Sequence, residues 1–258
     1  MEKSSVLLGF RAKICILSQT LFMKRLIVPG LLLFCLNVNG QKTIDVTSGD
    51  VNAGNLLNSI GGEPVLMAKF TALVEGTNFF SNDWLNGTIV LPGGKEYKGL
   101  SIKLDLFHNE VHYKDKDGKE FIATVPIKEV ILTENHVNHR FIHSSAIKSA
   151  TDIKEGYYLW LHTGPTSLYK YYSKQLSEYK PYGSATTEQK IKTTDNYLVL
   201  HNGVLIQIKK LKDAPTVLAN KKKELEEYLK SNENKTRNLD DRFTDLVTYY
   251  NQLTQEKK

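Results

Sequence analysis

From Pro64 to about Leu161 the chain alternates short β-prone runs with turn signals, the pattern of an antiparallel sheet or small barrel. Pro92-Gly93-Gly94 separates Thr88–Leu91 from the run after Tyr97, His108-Asn109 separates Ile102-Leu104-Leu106 from Val111–Tyr113, and Asp117-Gly118 offers a tight turn. Ile102, Leu104 and Leu106 alternate with Lys103 and Asp105, which places one face on a core and the other in water. Further strands are predicted at Glu129–Thr133, Arg140–His143 and Tyr157–His162, and the tyrosine-rich stretch from Pro165 to Tyr182 is read as including a short helix.

Asn202-Gly203 is the clearest hairpin signal in the chain. It pairs Tyr197 with Ile208 and Val199 with Ile206 on one face and leaves Leu198, Leu200 and Leu205 on the other. Apolar residues on both faces require cover on both sides, and the C-terminal helices are expected to provide it. Helical signals begin at Ala214-Pro215 and restart at Asn220, read as an N-cap for Lys221–Lys230. The last helix has Asn238 as cap, Asp240 and Asp241 at the positive end of its dipole, and a stripe of Leu239, Phe243, Leu246, Val247, Tyr250 and Leu253. The fold class is therefore α+β, with an antiparallel β-rich body followed by a β-hairpin and C-terminal amphipathic helices.

The N-terminal segment changes the picture. Lys24-Arg25, the apolar run Leu26–Leu36 and the small-residue series Val38-Asn39-Gly40 form a secretory signal, so Met23 is read as the true start and Gln41 as the mature N-terminus. The apolar run is too short for a bilayer, and no stable membrane span is expected after cleavage. Leu33-Phe34 before Cys35 is bulky where a lipoprotein signal needs small residues. The organisation read from this is a leader at 1–40, a loosely ordered lead-in at 41–62, a β-rich domain at 63–182, and a hairpin with helices at 183–258 packed on it.

Composition then narrows the chemistry. The chain has 34 Lys and Arg against 28 Asp and Glu, but residues 1–40 hold five of the basic groups and one acid. The remainder, 29 against 27, is near neutral and lacks the basic footprint of a nucleic-acid binder. Cys15 and Cys35 both precede the cut, so the mature protein has no disulfide and no thiol nucleophile.

Several stretches are familiar as a series. They are Gly62-Glu63-Pro64, Leu73-Val74-Glu75-Gly76-Thr77, Asp83-Trp84-Leu85-Asn86-Gly87 leading into Ile89-Val90-Leu91, Asn109–Tyr113, Pro126–Val130, Tyr182–Gln189 and Tyr249-Tyr250-Asn251. Together they resemble a family of uncharacterised exported proteins common in Bacteroidota, over nearly all of residues 60 to 253. The resemblance implies export from a Gram-negative-type cell, to the periplasm, the outer membrane or beyond. It brings no catalytic residues.

No catalytic residue is assigned from the sequence, and no cofactor or metal is expected. His136, His139 and His143, and the pair His108 and His112, fall in turns and strands without an evident ligand set. There is no G-x-S-x-G elbow, phosphate loop or dinucleotide fingerprint. Asp83, beside Trp84, is the one acid to nominate, and capping a loop is the weightier reading. Lys221-Lys222-Lys223 reads as the solvated side of a helix. The candidate binding-surface aromatics are Tyr157, Tyr158, Trp160 and Tyr169, part of a wider set with Tyr171 and Tyr172, although for any single one core packing is the simpler role. The expected function is thus a non-enzymatic exported protein with an interaction or structural role in the cell envelope, its partner an envelope protein or glycan. A hydrolase of an envelope polymer and a His-based metal-binding protein are the alternatives.

Overall fold

The computed structural model describes residues 43–45, 53–65, 71–231 and 237–255. The leader expected at 1–40 lies outside them. In chain order the elements are β1 (Thr43–Asp45), α1 (Ala53–Ile60), β2 (Glu63–Pro64), β3 (Thr71–Glu75), β4 (Leu85–Val90), β5 (Glu96–Asp105), β6 (Glu110–Lys114) and β7 (Glu120–Ile122). They continue with β8 (Glu129–Glu134), β9 (Val137–His143), β10 (Tyr157–His162), β11 (Ser167–Tyr179), β12 (Thr187–His201), β13 (Val204–Ile208), α2 (Ala214–Val217), α3 (Lys222–Ser231) and α4 (Leu239–Gln255).

All strands join one mostly antiparallel sheet that does not close, in the order β13-β12-β11-β10-β9-β8-β4-β5-β6-β7-β2. It consists of two meanders, β4 to β7 and β8 to β13, fused where β4 pairs with β8. Two strands add in parallel, β1 on β5 and β3 on β12. No cysteine lies among the described residues, so the body holds together by its core. No helix there is long and apolar enough to cross a membrane.

The period-2 pattern sets the main core. Ile89, Tyr97, Ile102, Leu104, Val130 and Phe141 point to one side of the curled sheet and pack together. Helix α1 closes this core with Leu56 and Ile60, so the stretch read as a loose lead-in contains a helix. Its Asn- and Gly-rich composition disfavours helix, but burial of an apolar pair one turn apart overrides weak propensity. The Tyr113 hydroxyl fixes its end by donating to the Gly61 carbonyl at 2.6 Å.

A second core forms where Leu168, Tyr197, Val199 and Ile208 meet Leu225, Phe243, Leu246, Val247 and Tyr250. The Asn202-Gly203 turn has both residues at positive φ, 51° and 75°, and sets the expected register of Tyr197 on Ile208 and Val199 on Ile206. Asn238 caps α4 through its side chain to the Asp241 N–H at 2.8 Å. Leu239 of the expected stripe is exposed.

Three readings are corrected. The Pro165–Tyr182 stretch is not helical but forms β11, paired with β12 along its length, and so the boundary placed at 182/183 is the turn of one hairpin. The tyrosines Tyr169, Tyr171, Tyr172 and Tyr179 favour the strand. Asn220 does not cap α3; it lies in a 3₁₀ turn and accepts the Tyr250 hydroxyl at 2.7 Å. The helices also cover only one face of the hairpin. Leu198, Leu200 and Leu205 face the other way, onto Ala146, Ile147 and Ile153 of the β9–β10 connection.

Candidate functional site

Alternation along β10 sends Tyr157 and Leu159 into the main core and Tyr158 and Trp160 to the opposite face. Tyr157 thus faces the main core, on the opposite side from Tyr158 and Trp160, and is removed from the candidate surface. Cross-strand pairing brings Tyr171 beside Tyr158 and Tyr169 beside Trp160. The first pair of rings lies 4.8 Å apart and the second is stacked at 5.8 Å. Arg140 lies over Trp160 at 4.5 Å and is held by a two-point pair with Glu129, a hydrogen bond that raises its pKa. Within this row Tyr158 and Tyr169 are buried, and Trp160 and Tyr171 are partly exposed. Tyr172 points the other way, toward the main core.

Beside Tyr158 and Tyr171 opens a groove of about 230 Å³, with Leu198 and Leu205 in its floor and Asp152, Lys154, Asn196 and Gln207 among its polar lining. Asn196 is held by its NH₂, which donates to the Tyr171 and Thr194 carbonyls at 3.3 and 3.0 Å, while its own oxygen accepts from the Gln207 amide at 2.9 Å. The Tyr158 hydroxyl donates to the Lys154 carbonyl at 2.9 Å, and burial, with Tyr171 nearby, pushes its pKa up to about 12. Lys154 stands over the Tyr171 ring at 5.2 Å. A strap through Ser149 and Ala150 forms one bank by bonding to the hairpin turn, Ala150 N–H to the Gly203 carbonyl at 2.7 Å and Leu205 N–H to the Ser149 hydroxyl at 3.2 Å. Asn196 and Gln207 carry no motif in the sequence; Gln207 falls opposite Leu198 in the hairpin register, and Asn196 opposite Tyr171 on β11.

A second, polar pocket of about 260 Å³ lies at the other end of the helix-covered face, lined by Thr166, His201, Asn220 and Tyr250. Its groups lock α4 to the β10–β11 turn. Asn251 accepts the Thr166 N–H at 3.0 Å, and its NH₂ donates to the Thr166 carbonyl at 2.9 Å and to His162 Nε2 at 3.1 Å. A Cβ on Gly164 would stand 2.6 Å from that NH₂, so the turn needs glycine there. His162 and His201 have pKa values lowered by burial. Tyr250 and the adjacent Asn251 thus tie α4 to Asn220, Thr166 and His162, which makes this joint a clamp.

The histidines His136, His139 and His143 take separate roles. His136 sits in the β8–β9 turn at positive φ, His139 faces Glu134 at 3.9 Å and the Phe80 ring, and His143 binds Ser145 at 2.8 Å. Asp83 is an exposed loop acid. His108 and His112, by contrast, gather around Asp105, Glu110 and Glu120 on the outer face of β5 to β7. Comparison with protein-family models, with curated proteins and with solved structures finds no match to this chain.

Proposed function

We propose that this chain is a non-enzymatic binding protein of the cell envelope, exported by the signal at Lys24–Gly40, and that the Tyr158–Tyr171 groove receives a sugar unit of an envelope glycan. The observation that carries the reading is the juxtaposition of an aromatic pair with a fixed amide pair, Asn196 and Gln207. A sugar ring offers an apolar C–H face and a rim of hydroxyls. Tyrosine supplies apolar area at low entropic cost, and amides both donate and accept.

The volume, about 230 Å³, is below the roughly 300–1,000 Å³ of a pocket for a drug-sized molecule, so it suits one ring and not a long chain. Asp152 is the one carboxylate in the lining, whereas glycoside hydrolysis needs a pair flanking the bond. That favours binding over the hydrolase alternative. Calorimetry against N-acetylglucosamine oligomers and neutral hexose oligomers tests the reading. One class should bind, and Tyr171→Ala should weaken it at least tenfold without unfolding the protein. If neither class binds, or if Tyr171→Ala binds as wild type, the reading fails.

A further inference from the structure

On the β5–β6 hairpin, Leu104 and Val111 enter the core, and their neighbours Asp105, Glu110 and His112 share the outer face. The register sets Asp105 opposite Glu110 and Lys103 opposite His112, and β7 brings Glu120 to the far side of the His112 ring. We propose that Asp105, Glu110 and His112 bind one divalent transition ion of the zinc class. This does not rest on the glycan reading.

One donor atom from each of the three lies within 4.8 Å of the others. Ligands bonded to tetrahedral zinc at about 2.0–2.2 Å stand about 3.3 Å apart, so the set needs to close by little more than an ångström. Glu110 can make that movement, since its side chain is 40 % exposed. The other two are fixed. Asp105 is 2 % exposed, with Oδ1 accepting the Phe107 and His108 N–H groups at 2.8 Å each and Oδ2 turned to His108 Nδ1 at 2.9 Å, a contact that a bound metal would replace. His112 is 5 % exposed, with the Phe79 ring edge-on at 5.3 Å.

The strongest argument concerns the imidazole. His112 Nδ1 lies 3.0 Å from Glu120 Oε1, and its Nε2 faces Glu110 at 3.4 Å. With Nδ1–H donating to Glu120, the lone pair sits on Nε2, on the side of the ligand carboxylate. A carboxylate behind the ring of a metal-bound histidine fixes the tautomer and raises its basicity. Glu120 is then a positioning residue. His108 Nδ1, 2.9 Å from Asp105 Oδ2, stands at the rim and is half exposed, which marks the entry side.

The surrounding lysines do not take these carboxylates. Lys103 and Lys114 hold their ammonium groups over Trp84, at 5.3 and 4.4 Å, and Lys174 donates to the Thr77 and Phe79 carbonyls at 2.8 and 3.1 Å. Each of the three carboxylates pairs instead with a histidine. One imidazole with two carboxylates suits zinc or manganese better than calcium, which takes oxygen ligands throughout.

The test is zinc titration of chelator-stripped protein by calorimetry, with bound metal counted by elemental mass spectrometry. Wild type should hold one zinc per chain. His112→Ala should abolish binding, and Glu110→Gln and Glu120→Gln should each weaken it about 10- to 100-fold. His139→Ala, on another strand pair, should leave it unchanged. Glu110 is at the rim, so its variant stays folded even if His112→Ala does not, and circular dichroism checks this. No stoichiometric zinc on wild type, or binding that survives Glu110→Gln at full strength, would overturn the proposal.

Discussion

The two faces of β11 to β13 are built from the same strands and end differently. On one, Leu168, Tyr197, Val199 and Ile208 lie fully beneath α2 to α4, and polar pins lock the helices down. Lys170 reaches Asp240 at 2.9 Å and Asp195 at 2.9 Å beneath the N-terminus of α4, and Asn251 clamps its other end. On the other face, Leu198 and Leu205 are only half covered, by the Ala146–Ile153 strap, and the groove beside them is lined by tyrosine and by polar side chains, Asn196 and Gln207 among them. The sealed face uses fully buried aliphatic and aromatic side chains and buried pairs. The open one uses side chains that tolerate water and still offer an apolar plate.

Deletion of apolar bulk should separate the faces most. Leu246→Ala removes a side chain with no exposed surface and should cost about 2 to 5 kcal/mol in denaturant unfolding. Leu205→Ala, half buried on the open face, should cost about 1 kcal/mol. Equal costs would mean that the two faces are sealed alike.

The next effect is electrostatic. Burial alone would lower the Lys170 pKa, but its bonds to Asp195 and Asp240 win and raise it. The Tyr197 hydroxyl also donates to Asp240. Lys170→Met should destabilise by about 1 to 3 kcal/mol, below the value for a fully buried pair because both carboxylates are partly exposed. Lys154→Met, on the groove bank, should change stability by less than about 0.5 kcal/mol.

The smallest effect is on pH dependence. Asn251 must donate to His162 Nε2, because its oxygen is taken by the Thr166 N–H, so His162 is neutral in the clamp. Burial lowers its pKa and that of His201 from 6.5. The unfolded chain then binds protons more readily, and stability fully present above about pH 6.5 is lost as pH falls below it through the lowered folded pKa. Thermal midpoints should decline from pH 7 to pH 5, with a shallower decline in His162→Asn. A flat profile in wild type would remove the histidines from the clamp.

Much of the sheet was legible because strand periodicity is local. β10 is found at its predicted bounds, and the Asn202-Gly203 turn alone defines the register of Tyr197 and Val199. The helix α1 was hidden because Leu56 and Ile60 gain their stability from distant strands. Alternation separated Tyr157 from Tyr158, but which of them entered the main core depended on how the sheet curls. The sequence pairs His112 with His108, whereas Glu110 shares its strand face by spacing and Asp105 and Glu120 join it only through the pairing of β5 and β7 with β6.

Chemical-shift mapping of isotope-labelled protein with the saccharide that binds tests the central claim, that the open face is the ligand face. The account predicts perturbations centred on Tyr158, Tyr171, Asn196 and Gln207, with α4 unmoved. Shifts centred instead on Thr166, His201 and Tyr250, or none on the open face at saturating ligand, would contradict it.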